Sequence, residues 1–206
     1  MLFALADSRL PIGGHVHSGG IEEAVSSGVV RDVTTVELYL RRRVRTSGLI
    51  AASLAAAVCS GELTATVAEA EADARTPSPA ARAASRAQGR GLLRLAKQLW
   101  PHSDWVALGP RPHLSTVFGV VGTACEVTPT EIAGVVVYTT LTGAATAAQR
   151  LLALDPAAVA ACTVRLAELC DRTAAEAVTG LAALSDPLQD VLTERHTHRD
   201  MPLFAS

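Results

Sequence analysis

Aromatic residues make up only 3% of this 206-residue chain, and no run of lysine and arginine alternates with them. The formal net charge of −2 supplies no basic field, so the electrostatic and stacking requirements of nucleic-acid binding are unmet. The four cysteines, Cys59, Cys125, Cys162 and Cys170, never approach C-x-x-C spacing. They fall in apolar stretches and read as buried free thiols of a reducing compartment. Cys162 and Cys170 lie about two turns apart on one predicted helix, too far for a disulfide. No basic segment precedes the short apolar run at the start, which disfavours a secretory leader. No apolar stretch has the length and flanks of a membrane span, and Ile132 to Ala148 reads as deeply buried helix instead. The expectation is a cytoplasmic protein with neither nucleic acid nor membrane as partner.

Catalytic signatures are missing too. Gly14, four residues and Gly19 reproduce the first part of G-x-x-x-x-G-K-[ST], but Gly20 and Ile21 stand where the lysine and the magnesium-binding hydroxyl belong. No G-x-S-x-G elbow occurs, so Ser, His and Asp residues are not organised into a recognisable triad. No enzyme activity and no cofactor are expected.

What is present is a helical composition. Hydrophobic residues reach 49%, dominated by alanine, the strongest intrinsic helix former, with leucine close behind it. No stretch sustains period-2 alternation and no internal repeat is found. The chain reads as all-α, a single-domain orthogonal helical bundle over 1–184 with an irregular C-terminal tail over 185–206.

The opening stretch Arg9 to Glu23, RLPIGGHVHSGGIEE, combines a φ-fixing proline with two glycine pairs and runs into a short helix. Ser18 is the candidate N-cap, Glu22 and Glu23 complement the macrodipole, and Gly28 ends the helix. Thr34 and Glu37 read as a capping box for a second helix with Val36, Leu40 and Val44 on one face. Arg41, Arg42, Arg43 and Arg45 form its solvated basic end, and Ser47 and Gly48 break the chain. Leu49 to Cys59 continues as helix, and Thr64 to Arg75 follows as an exposed one.

Ser78 and Pro79 open a longer helix to Trp100, with Ala81, Ala84, Gln88, Leu92, Leu95 and Leu99 at helical spacing and Gln88 at the edge of the stripe. Gly89 and Gly91 are costly inside it and point to a close helix crossing. His113 to Cys125 is a compact apolar helix. Thr128, Pro129 and Glu131 open the next, which ends near Leu154, and Asp155-Pro156 opens a final long helix to about Leu184. Two H-x-H pairs, His15 with His17 and His196 with His198, would each converge on a divalent metal if extended. They support an alternative reading as a helical metal-binding protein or hydrolase.

Four stretches in order resemble the urease accessory protein UreF family. Arg9 to Glu22 is similar to the motif S-L-P-x-G-G-F-x-Y-S-x-G-L-E, and Arg86 to Leu95 resembles Q-G-x-x-L-L-x-L. Pro112 to Gly122 resembles H-x-x-x-F-G, and Arg195-His196 with Leu203-Phe204 resembles the family's tail. The resemblance implies a non-enzymatic, dimeric, all-helical scaffold. Such a scaffold binds the accessory protein UreD (UreH) and recruits the GTPase UreG, so that nickel, supplied by UreE, is placed in apo-urease at the expense of GTP. It assigns partner-binding roles to Pro11, Gly13, Gly14, Ser18, Gly20, Glu22, Gln88, Arg90, Arg195, His196, Leu203 and Phe204. Arg90 or Arg195 would be placed to act as an arginine finger toward the GTPase. The chain departs from the pattern in having His15 and His17 where Phe and Tyr are usual, Asp155-Pro156 in place of a Gly-Gln, and no tail tyrosine. On this reading the tail is mobile in the isolated protein, with Arg195 as polar and Phe204 as apolar anchor for the partner.

Overall fold

N-cap side chains set most helix starts. A computed structural model describes residues 1–7, 10, 17–199, 203 and 204. Its helices are α1 (Leu2–Leu5), α2 (Ile21–Ser26), α3 (Val33–Arg43), α4 (Leu49–Cys59), α5 (Ala65–Ala74), α6 (Pro79–Leu99), α7 (Leu114–Ala124), α8 (Pro129–Leu151), α9 (Pro156–Arg165), α10 (Ala167–Ala177) and α11 (Pro187–His196). No strand occurs among the described residues, so the all-α expectation holds. Ser78 Oγ accepts from Ala81 N at 3.0 Å, and Asp155 Oδ1 from Ala157 N at 3.2 Å. Thr128 and Glu131 close the expected reciprocal box, the Thr128 amide donating to Glu131 Oε2 at 2.7 Å and the Glu131 amide to Thr128 Oγ1 at 3.3 Å.

Four local expectations are corrected. Helix α3 is capped by Asp32 and Thr35, not Thr34 and Glu37, because Asp32 Oδ1 takes the Thr35 amide at 2.8 Å while Glu37 is engaged by Arg165 at 2.6 Å. Ser47 and Gly48 do not break the chain: a π-helical turn over Val44–Gly48 carries α3 directly into α4. The last long helix is two, parted at the buried Leu166, whose amide reaches the carbonyls of both Cys162 and Thr163. That turn lets Val159 and Cys162 on α9, and Leu169 and Cys170 on α10, face the same core. Finally, the segment from Ser185 contains a helix, α11 (Pro187–His196), in place of the expected irregular tail. Asp186 caps α11 through the Gln189 amide at 3.1 Å, and Pro187 occupies its first turn.

One contiguous core, including Leu40, Leu92, Phe118, Ile132, Leu141 and Leu166, runs through the bundle, with α8 packed against α4, α7 and α10. With so few aromatics the helices approach closely instead. A Cβ on Gly119 of α7 would fall 2.5 Å from Val58 Cβ and 2.8 Å from the Ala55 carbonyl on α4. A Cβ on Gly89 would fall 2.2 Å from the Pro112 carbonyl, so the glycine expected at a helix crossing admits the backbone that leads into α7. The buried face of α6 is Gly89, Leu92, Leu93 and Ala96, while Leu99 is exposed, which rotates the stripe away from the expected one. All four cysteines are free. Cys162 and Cys170 are buried, and burial pushes the Cys170 thiol up to about 11.

Candidate functional site

The two segments that the sequence singles out, the opening stretch and the C-terminal one, meet on α2. Gly19 and Gly20 enter it with φ of 58° and 85°, a left-handed conformation that glycine alone adopts without strain. Gly20, rather than Ser18, is the N-cap. The Gly19 carbonyl accepts from Gln189 Nε2 at 2.6 Å, from the Tyr39 hydroxyl at 3.0 Å and from Arg43 Nη1. A Cβ on Gly20 would lie 2.6 Å from Gln189 Nε2. The basic end of α3 is therefore engaged and not merely solvated. Arg43 holds the glycine pair, and Arg42 pairs with Asp186, which also accepts from Thr46 Oγ1 at 2.7 Å.

Glu22 is the centre of the joint. It is 2% exposed, and its carboxylate lies 2.7 Å from His196 Nε2, which is equally buried at 2%. The Leu203 amide donates to Glu22 Oε1 at 2.8 Å and the Phe204 amide to Oε2 at 3.0 Å. Burial alone would push this carboxyl up, but the His196 hydrogen bond and the two amides together hold it below its ordinary 4.5. Next to it Glu23 pairs with Arg199 Nη1 at 3.1 Å and Arg195 Nε at 3.5 Å. Phe204 is 6% exposed and belongs to the main core, with the Arg150 guanidinium 5.2 Å above its ring.

These contacts correct the expectation of a mobile tail. Leu192 and Phe204 supply enough apolar surface to join the core, and Glu22 pairs the backbone that follows α11. Phe204 is an anchor to the chain's own body. Leu203, at 78% exposed, points outward, and Arg195 stays at the surface despite its pairing with Glu23. Ser18 is buried with its Oγ unpartnered, Gln88 lines a cavity, and Arg90 is exposed on α6. Pro11, Gly13 and Gly14 lie outside the described residues, as does His15. The second H-x-H pair does not converge, because the segment is helical through His196, which turns inward to Glu22 while His198 is exposed. Among the described residues no group of three or more His, Cys, Asp or Glu is placed to hold a metal ion.

The cavity has a volume of about 260 Å³ and extends from this joint into the bundle, past Ser18, Arg43, Gln88, Ser85, His113 and Gln189. On its wall Ser85 Oγ lies 3.0 Å from His113 Nδ1, and His113 Nε2 lies 2.9 Å from Asp73 Oδ1. The order of groups is that of a nucleophilic triad, but each is occupied in joining helices. Ser85 Oγ accepts the Leu114 amide at 3.2 Å and so caps α7, and Asp73 also holds Arg86 at 2.8 Å. The His113 amide donates to Glu69 Oε1 at 2.8 Å. Burial pushes Asp73 up, but His113 and Arg86 prevail and leave it lowered.

Sequence reasoning missed Tyr39, Arg43, Asp186 and Gln189, which build the joint. The signal for the last two was Asp186-Pro187, the same cap-and-proline device as Asp155-Pro156, directly before a helix.

Residues 30–167 match the family UreF. The chain is 64% identical over 205 residues to the urease accessory protein UreF of Mycobacterium sp. (strain JLS), covering 100% of this chain and 97% of that protein. It is 64% identical over 208 residues to the protein of that name from Mycolicibacterium vanbaalenii, with the same coverage. With the Mycobacterium tuberculosis (strain ATCC 25618 / H37Rv) protein of that name it shares 59% over 206 residues, 100% of this chain and 98% of the relative. The chain belongs to the UreF family of urease accessory proteins.

Proposed function

We propose that this chain is a non-catalytic scaffold of urease maturation. It joins a UreD (UreH) accessory protein to the GTPase UreG, so that nickel, the cargo, is placed in apo-urease with GTP hydrolysed by UreG. On this reading it works as a homodimer in the cytoplasm. Family membership over the full chain carries the reading, and the joint at Glu22 supports where partners bind. The buried members, Glu22, His196 and Phe204, hold a surface together, and Arg195 and Leu203 present it outward; the family resemblance assigns Pro11, Gly13, Gly14 and Ser18 to the same partner surface. No helix among the described residues is long and apolar enough to cross a membrane.

The test is genetic and biochemical together. Deleting the gene in a urease-positive host should abolish urease activity in nickel-limited medium, and the restored gene should return it. Purified UreD should co-elute with the chain, and UreG should join only when both are present. Full urease activity in the deletion strain would refute the reading.

A further inference from the structure

Helix α6 carries Arg82, Arg86, Arg90 and Arg94 at four-residue spacing, a ridge rising about 6 Å per step. Its first half is neutralised from within. Arg86 pairs with Glu69 at 3.0 Å and Asp73 at 2.8 Å, and Arg82 lies 3.8 Å from Asp73 while donating to the carbonyls of Thr76 and Pro77. These two acids are one turn apart on α5, and there the supply stops. One turn earlier α5 presents the buried Ala65, and Glu71 is taken by Arg75.

The cation ladder thus outruns its acid ladder. Arg90, Arg94 and Lys97 are exposed and make no ion pair with any described residue. Arg111 is exposed and equally unpaired. Its carbonyl takes Arg86 Nη1 at 2.6 Å, which sets its backbone beside the paired half of α6. Arg90, Arg94 and Lys97 follow one another at four- and three-residue spacing on one helix face, and such neighbours repel one another unless a counter-charge is supplied. In a chain whose net charge is −2, such a cluster is a local feature and not a consequence of overall basicity.

Resting on the scaffold reading above, we propose that the C-terminal half of α6 is a docking ridge for an acidic helix of an assembly partner. That helix presents Asp or Glu at three- and four-residue spacing and continues the pairing that Glu69 and Asp73 begin. A protein is favoured over nucleic acid because the ridge spans barely two turns and has no aromatic interleaved with it. The contact is electrostatic, so it sets encounter rate and orientation and weakens with salt.

The chain contains a single lysine, Lys97, which makes the test specific. The complex of this chain with UreD and UreG is treated with a zero-length carbodiimide and the joined peptides are mapped. An amide between Lys97 Nζ and a carboxylate in an acidic helix of either partner is expected. The Arg90→Glu/Arg94→Glu variant, at exposed sites, should keep its helical circular dichroism, lose at least about tenfold in affinity for the complex and show a shallower salt dependence. Unchanged affinity of that variant overturns the proposal alone, as does a Lys97 amide formed only with a second copy of this chain. Loss of duplex DNA binding with partner binding intact does the same. Failure of the unaltered chain to form any complex overturns both the proposal and the reading it rests on.

Discussion

A carboxylate in the first turn of a helix usually complements the macrodipole from the surface, and nothing local in the sequence distinguishes Glu22 from Glu23 in that role. The structure separates them by burial: Glu22 is sealed in and takes three donors from residues more than 170 positions away. Replacing it by glutamine turns one acceptor oxygen into a donor facing donors. Glu22→Gln should cost about 2–3 kcal/mol at pH 7, in the range for breaking a buried charge-assisted network. The sign with pH follows from the lowered carboxyl. Its folded value lies below the ordinary 4.5, so its contribution is complete above that value and is lost as pH falls through the lowered one. Urea unfolding should therefore find the largest gap between wild type and variant near neutrality and a closing gap in acid. A gap that is constant with pH would show that Glu22 acts by shape alone.

At the scale of elements, the caps at Ser78, Thr128 and Asp155 were legible because each rests on residues adjacent in sequence. The π-turn at Val44–Gly48, the bend at Leu166 and the trans cap of α6 by Glu194 were not, since each is selected by packing against distant helices. Helix α11 was legible in principle through Asp186-Pro187, but its low apolar content reads as a tail until Leu192 is seen in the core. The site residues Glu22, His196 and Phe204 came from the family resemblance, whereas their contact with one another came only from the fold. Glycines give a test of packing on this scale. Gly89→Ala places a methyl against the Pro112 carbonyl and should lose about 2 kcal/mol, lowering Tm by roughly 4–8 °C. Gly143 of α8 has no atom within 4 Å of an added Cβ, so Gly143→Ala should gain up to about 1 kcal/mol from helix propensity. Thermal melts in which both shift in the same direction would contradict this packing.

For the molecule as a whole, the arrangement closes the chain on itself: α11 packs against α2 and α6, while its first residues pair with the end of α3. Glu194 Oε1 accepts the Ala80 amide at 2.9 Å and supplements the cap of α6, and Gln189 completes the donors on Gly19. A segment so placed cannot be removed without consequence for the body. Ending the chain at Leu184 removes the burial of Leu192 and Phe204 and strips Glu22, Gly19 and Arg42 of partners together. The expected cost is on the order of 5 kcal/mol, a fall in Tm of roughly 10–15 °C. Most helical circular dichroism should survive at low temperature, because the α4, α7 and α8 core is untouched. Partner binding should be lost as well, and the two losses are separable. Leu203→Ala, at an outward residue, should leave Tm within about 1 °C and weaken UreD binding alone. An unchanged Tm in the shortened chain would mean that the C-terminal segment is a detachable tail after all. An unchanged Tm joined to full UreD affinity would move the partner surface to the opening stretch Arg9 to Glu23.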